Sequence, residues 1–158
     1  IPGAQAGYES AATMLPTVQA GTNFVLHAAG WLEGGLISSY EKFVLDAEMC
    51  GILARMVGGI SLRDEDFAWD AFDEVGPGNH FLGSAHTMRH YKSAFYQHSV
   101  FNMDNYELWQ EKGSPDSYKL ANLRWKQMLK EYEPPTMDDA IAEEMQHTRR
   151  LDHLGLLL

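Results

Sequence analysis

Two glycine-containing stretches of the sequence each set an aromatic ring beside a carboxylate: Tyr8 and Glu9 in "IPGAQAGYES", and Trp31 and Glu33 in "AGWLEGG", with Tyr40 and Glu41 further on. Rings and carboxylates in one place suit a cation. An ammonium over a ring face gains about 0.5–2 kcal/mol, and a carboxylate in a partly desolvated pocket adds Coulombic attraction. The same residues admit a plainer reading, with Tyr8 and Tyr40 packed at helical spacing and Glu9 and Glu41 in water. His27, near the end of the apolar run "FVLHAAG", needs a hydrogen-bond partner or a chemical task there.

His80, His86, His90 and His98 raise the question of a metal site, because His86 and His90 at i, i+4 share a helix face. The spacing matches no metal motif: no glutamate intervenes as in HExxH, and no cysteine is near, so no metal is assigned. "GPGNHFLGSAHT" says more through its glycines. Gly76, Gly78 and Gly83 permit close backbone approach to a ligand or partner, and Phe81 and Leu82 between them form an apolar tip; an ordinary chain reversal is the alternative. There is no Walker loop, no GxGxxG after a strand and no GxSxG. Cys50 falls on an apolar helical stripe and reads as an inert small hydrophobe.

These residues need elements to position them. Tyr8 to Gln19 is predicted helical, with Pro16 kinking or restarting it. After a turn at 20–23, "FVLHAAG" reads as a strand buried on both faces, of the parallel-sheet kind. The next segment is predicted as a helix with an apolar stripe of Leu36, Tyr40, Phe43, Val44, Ala47, Cys50, Ala54 and Val57, with Glu41, Lys42, Glu48 and Arg55 mostly off it and Gly58 and Gly59 ending it. Strand, glycine-rich loop and helix make a βα unit.

From Ser61 helices dominate. One over 61–75 opens on Ser61 and Asp64 and turns Phe67, Phe72 and Val75 inward; others are expected over 85–98, 105–112 and 115–132, and from Thr136 and Asp139 to about 153. In "GSPDS" the glycine ends one helix, the serine caps the next and the proline takes its first position. A lone strand leaves its edges unpaired, so further strands are expected before Ile1, which makes the opening segment a βα loop.

With 158 residues and 45% hydrophobic content the chain suits one domain with a real core. Twenty-two acidic against 12 basic residues give a net charge of −10, which disfavours nucleic acid and anionic membrane as partners. A single cysteine excludes an internal disulfide, no stretch approaches a membrane span, and a cytoplasmic protein is the natural reading. The apolar tail "LGLLL" is expected to dock on a partner surface or be disordered.

The segments "PGAQAGYES", "AGWLEGGLISSYEKFVLDAEMCG", "EVGPGNHFLGSAHTMRHYKSAFY" and "YELWQEKGSPDSYKLANLRWKQMLKEYEPP" together resemble the carboxyl-terminal part of the trimethylamine:corrinoid methyltransferase family, over nearly the whole chain. "GPGNHFLGSAHT" is the most specific piece. The resemblance implies an α/β fold, the carboxyl-terminal portion of a TIM (β/α)8 barrel, with residues 1–100 forming final βα units and 101–158 a helical extension. It implies a cavity for a methylated amine (trimethylamine, or a quaternary amine such as glycine betaine), whose methyl group passes to the Co(I) of a corrinoid carried by a separate protein.

On that reading Tyr8, Trp31, Tyr40 and Phe81 bind the methylammonium, Glu9 and Glu33 balance its charge, and His27 and Glu33 are the catalytic candidates. Gly78, His80, Leu82 and His86 lie on the loop that faces the corrinoid partner, and a homo-oligomer is expected. Family members acting on trimethylamine resemble each other in having pyrrolysine, which is expected upstream of this sequence, at or before the first βα loop. Two competing readings are a non-enzymatic helical interaction module and a metal-dependent hydrolase.

Overall fold

A computed structural model describes residues 3–153, with side chains described through residue 148. The apolar tail at 154–158 lies outside the described residues, as do Ile1 and Pro2. The chain divides into two compact units, Ile1–Gln127 and Met128–Leu158. Among the described residues it is mostly helical with one small sheet.

The first unit opens with α1, Ala4–Gln19, which runs through Pro16 without a break. Proline removes one N–H near the helix end, and its own carbonyl still accepts from the amide of Ala20 at 2.9 Å, so the expected restart at Pro16 does not occur. Gly21, at φ +72°, turns the chain.

The strand expected at "FVLHAAG" is not formed. Phe24 and Leu26 are 77% and 69% exposed, and His27 takes a left-handed φ of +57° that interrupts extended backbone. A strand buried on both faces needs neighbouring strands to pair with, and among the described residues no strand pairs with this run. The sheet lies just beyond instead: β1 (Trp31–Leu32) and β2 (Ile37–Ser38) pair antiparallel, Trp31 opposite Ser38, around a tight turn at Glu33–Gly35. Glu33, Gly34 and Gly35 all have positive φ, which the two glycines adopt without a Cβ penalty.

Helix α2, Tyr40–Val57, starts on Ser39, whose Oγ accepts from the Lys42 amide at 3.3 Å, and stops at Gly58 and Gly59 as expected. Its buried face departs from the predicted stripe. Lys42, Val44, Asp46, Glu48 and Leu53 are buried, whereas Leu36, Tyr40 and Phe43 are exposed. Three charges are inside because each finds partners: Lys42 pairs with Asp46, and Glu48 accepts from the Ser99 amide at 3.0 Å, the Ser99 hydroxyl and the His98 ring. Val44, Val100 and Ala121 form the small apolar core, with Leu45, Leu120 and Trp125 against it.

The single helix expected over 61–75 is divided. A 3-10 turn at Asp64–Phe67 ends at Ala68, with φ +54°, before α3 at Trp69–Val75. Asp66, not Asp64, takes the Ser61 hydroxyl at 2.5 Å and also the Arg63 amide and guanidinium, which winds the chain tightly there. Only Ala71 of α3 is buried; Phe67 and Phe72 stay about half exposed.

A further 3-10 turn, Phe81–Gly83, leads into α4, Ala85–His90, which stops eight residues short of its expected end. The His90 carbonyl accepts from both Ser93 and Ala94, turning the chain toward His98. Helix α5, Tyr106–Glu111, falls within the expected 105–112 and is capped by Asn105, whose side chain accepts from the Leu108 amide. Helix α6, Ser117–Glu131, starts two residues late because Asp116, not Ser114, caps it through the Lys119 amide at 2.7 Å. In the second unit α7, Asp139–His153, begins on Asp138, whose carboxylate accepts from the Ala140 amide.

Candidate functional site

Helix α1 and the β1–β2 hairpin border an open groove of about 270 Å³, lined by Glu9, Ser10 and Thr13 of α1, Trp31 and Glu33 of the hairpin and Lys42 of α2. Two carboxylates and an indole therefore border one space. A second cavity of about 240 Å³ is lined by His27, Trp31, Thr17, Lys42 and Asp46. The His27 ring rests on Trp31 at a centroid distance of 4.7 Å and 36° between planes. Trp31 remains 40% exposed, so part of its surface is free to meet a ligand.

Of the sequence-derived candidates, Glu9, His27, Trp31 and Glu33 come together here. Glu9 accepts from the Gln5 side chain at 2.8 Å, which fixes one of its oxygens. Glu33 is exposed, and its left-handed φ of +52° belongs to the turn that lifts it beside Trp31. Tyr8 lines a different, more apolar cavity of about 550 Å³ with Ala4, Ala11, Leu45 and Met49. Tyr40 stacks on Trp125 at 4.8 Å, and Phe81 meets Phe72 edge-on at 5.2 Å.

Sequence reasoning missed what holds the site. Lys42 Nζ donates to both carboxylate oxygens of Asp46 and to Ser10 Oγ, each at 2.6 Å, and Asp46 accepts from the Gly30 amide at 2.9 Å. Lys42 and Asp46 are only 3% and 4% exposed. The signal available was a Lys–Asp pair at i, i+4, the spacing that brings two side chains together on a helix.

Glu41 begins α2 with a second set of bonds. Its carboxylate accepts from Asn122 at 2.7 Å, the Trp125 indole N–H at 2.8 Å and the Ser39 hydroxyl at 3.1 Å, and these donors hold its pKa at about 2 against an ordinary 4.5. A carboxyl depressed in the folded state stabilises it above the unfolded pKa, and that contribution disappears as pH falls from about 4.5 toward 2. Glu41→Gln is expected to lower stability at neutral pH by about 1 kcal/mol, after allowance for solvent screening. It should also flatten the acid limb of a stability profile measured by urea unfolding.

The loop after α3 has the backbone freedom expected of it: Gly76 and Gly78 have φ of +68° and +79°, and Asn79 donates to the Val75 carbonyl. His80 lies just before the Phe81–Gly83 turn, and Leu82 stands 77% exposed at its tip. His86 lies against His90, ring centroids 4.5 Å apart, and its Nδ1 is buried without a hydrogen-bond partner. Among the described residues no group of three or more His, Cys, Asp and Glu side chains is placed to hold a metal ion. The Cys50 thiol is half-buried, and burial first, then the negative Asp46, pushes its pKa up, away from nucleophilic thiolate. No described helix is long and apolar enough to cross a membrane.

The aromatic and acidic groove beside the hairpin is the candidate site. The chain matches the trimethylamine methyltransferase (MTTB) family model over residues 1–155 and belongs to that family. It is 38% identical over 143 residues to a glycine betaine methyltransferase of Desulfitobacterium hafniense (strain Y51), covering 90% of this chain and 30% of that protein. It is 32% identical over 142 residues to the trimethylamine methyltransferase MttB of Desulfitobacterium hafniense (strain DSM 10664 / DCB-2), covering 90% of this chain and 28% of the relative. A proline betaine:corrinoid methyltransferase of Eubacterium limosum is 37% identical over 103 residues, 64% of this chain and 21% of the relative. The chain thus spans less than a third of the length of these curated relatives.

Proposed function

We propose that the protein moves a methyl group from a methylated amine, trimethylamine or a quaternary amine such as glycine betaine, to a corrinoid carried by a separate protein. The observation that carries this reading is the convergence of Trp31, Glu33 and Glu9 on one cavity, with His27 against the indole. Family membership and the names of the relatives support it.

The residues fit a methylated ammonium. The exposed part of the Trp31 ring attracts the cation, and the Glu33 and Glu9 carboxylates balance its charge, carried by a proton in trimethylammonium and permanent in a quaternary amine, so that loss of the methyl group leaves the nitrogen as a neutral amine. His27 steadies the indole, and the glycine turn at 34–35 brings Glu33 beside it. The corrinoid supplies a Co(I) nucleophile that accepts the methyl group. The task of this chain is orientation of the C–N bond and exclusion of water.

In the same proposal residues 1–100 are the last βα units of a TIM barrel and 101–158 its helical extension, in a cytoplasmic homo-oligomer. Gly78, His80, Leu82 and His86 form the loop that meets the corrinoid protein, with Leu82 as its apolar tip. Tyr40 and Phe81 serve as packing rings for the site's surroundings, given their contacts with Trp125 and Phe72.

Calorimetric titration of the full-length protein tests the binding half. Trimethylammonium or glycine betaine should bind about tenfold or more tightly than 3,3-dimethylbutanoate, the carbon isostere of glycine betaine that lacks the positive charge. Equal affinity for the charged compounds and the isostere would remove the cation site.

A further inference from the structure

The buried ion pair on α2 touches every element that carries the site. Lys42 reaches Ser10, the residue next to Glu9 on α1, while Asp46 holds the Gly30 amide immediately before Trp31. Gly30 is itself buried at φ +89°, where a Cβ would lie 3.2 Å from Phe43 Cβ, and its carbonyl accepts from the Ser39 amide at 3.0 Å to close the hairpin. Residues 30 and 39 therefore clasp the ends of the loop that presents Trp31 and Glu33. Lys42 also borders both cavities that Trp31 lines, and Asp46 borders the second of them.

A pair of charges with this little exposure is not explained by stability alone. Removing two charges from water costs several kcal/mol per ion, and apolar side chains of similar volume often serve a fold as well or better. What apolar groups cannot do is accept the Gly30 N–H or donate to Ser10. We propose that Lys42 and Asp46 are positioning residues of the amine site, holding α1 and the hairpin so that Glu9, Trp31 and Glu33 face one cavity. The proposal rests on the amine-binding reading above.

Two double variants of the full-length protein separate positioning from packing. Lys42→Met with Asp46→Leu removes both charges and the acceptor for Gly30; Lys42→Met with Asp46→Asn removes the charges but keeps that acceptor. Both are expected to unfold cooperatively, the Asn variant near the temperature of the native protein and the Leu variant somewhat below it because the Gly30 amide loses its acceptor. The Leu variant should bind trimethylammonium and glycine betaine about tenfold more weakly, and the Asn variant should recover most of the loss.

Amide exchange reads the same device without any amine. In the native protein the Gly30 amide should exchange at least about tenfold more slowly than the exposed amide of Gly34, and residues 30–39 should exchange faster in the Leu variant but not in the Asn variant. A fast Gly30 amide in the native protein overturns the proposal whether or not the variants fold, as does equal loss of affinity in the two. If neither amine binds the native protein while Gly30 is slow and the exchange pattern follows the variants, the amine reading fails and the clasp stands.

Discussion

Asp46→Ala is expected to destabilise the protein by about 3–5 kcal/mol, the largest effect of any single substitution considered, because it leaves the Lys42 ammonium buried without its counter-charge. Lys42 Nζ keeps only Ser10 Oγ as a partner, and the Gly30 amide loses its acceptor as well. The loss exceeds what an exposed pair provides, since surface ion pairs contribute about 0–1 kcal/mol. The asymmetry between single and double changes is the diagnostic feature. Lys42→Met with Asp46→Leu should cost less, about 1–3 kcal/mol, because the two charges are removed together and what remains is the Gly30 amide without its acceptor. Urea unfolding of the three proteins measures this; an Asp46→Ala change below about 1 kcal/mol would mean that water reaches the pair.

Trp31→Ala is expected to weaken binding of a methylated ammonium by about 1–2 kcal/mol, roughly five- to thirty-fold in Kd, with Trp31→Phe recovering part of the loss. The indole is the one ring that borders both cavities, lies against His27 and keeps part of its surface free. Glu33→Gln should add to the effect and make it depend on salt, since a partly exposed carboxylate is screened over about 8–10 Å at ordinary ionic strength. Affinity unchanged in Trp31→Ala, measured by the same calorimetric titration, would return Trp31 to a purely structural role.

The helices were largely legible in the sequence because their ends carry local chemistry. Ser39 and Asn105 cap, Gly58 and Gly59 stop α2, and the periodic apolar residues show where the helices run. Boundaries failed where a nearby carboxylate captured the backbone first: Asp116 in place of Ser114, and Asp66 in place of Asp64. The strand at "FVLHAAG" was misread because an apolar run specifies burial without specifying who buries it, and His27 at positive φ leaves no trace in composition. The face of α2 was misread for a related reason. Hydrophobic periodicity assumes that charges lie outside, and Lys42, Asp46 and Glu48 satisfy one another or the loop at 98–99 within.

The site was legible in part. Tyr8 with Glu9 and Trp31 with Glu33 could be paired from residue type beside glycine, whereas the meeting of Glu9 with Trp31 and Glu33 on one groove is visible only in three dimensions. Tyr8 and Tyr40 share that composition but face elsewhere, one into a separate apolar cavity and one onto Trp125, and only three-dimensional placement separates them. The clasp formed by Lys42, Asp46 and Gly30 joins residues 10 to 46 through contacts that no short motif encodes.

Cobalt reports the proposed methyl transfer directly. The full-length protein, mixed with a corrinoid protein reduced to Co(I) and with trimethylamine or glycine betaine, should convert the Co(I) absorption spectrum to that of the methylated form. The rate should fall in Trp31→Ala. A Co(I) spectrum that stays unchanged with trimethylamine and betaines alike, in the presence of a competent corrinoid protein, would contradict the account.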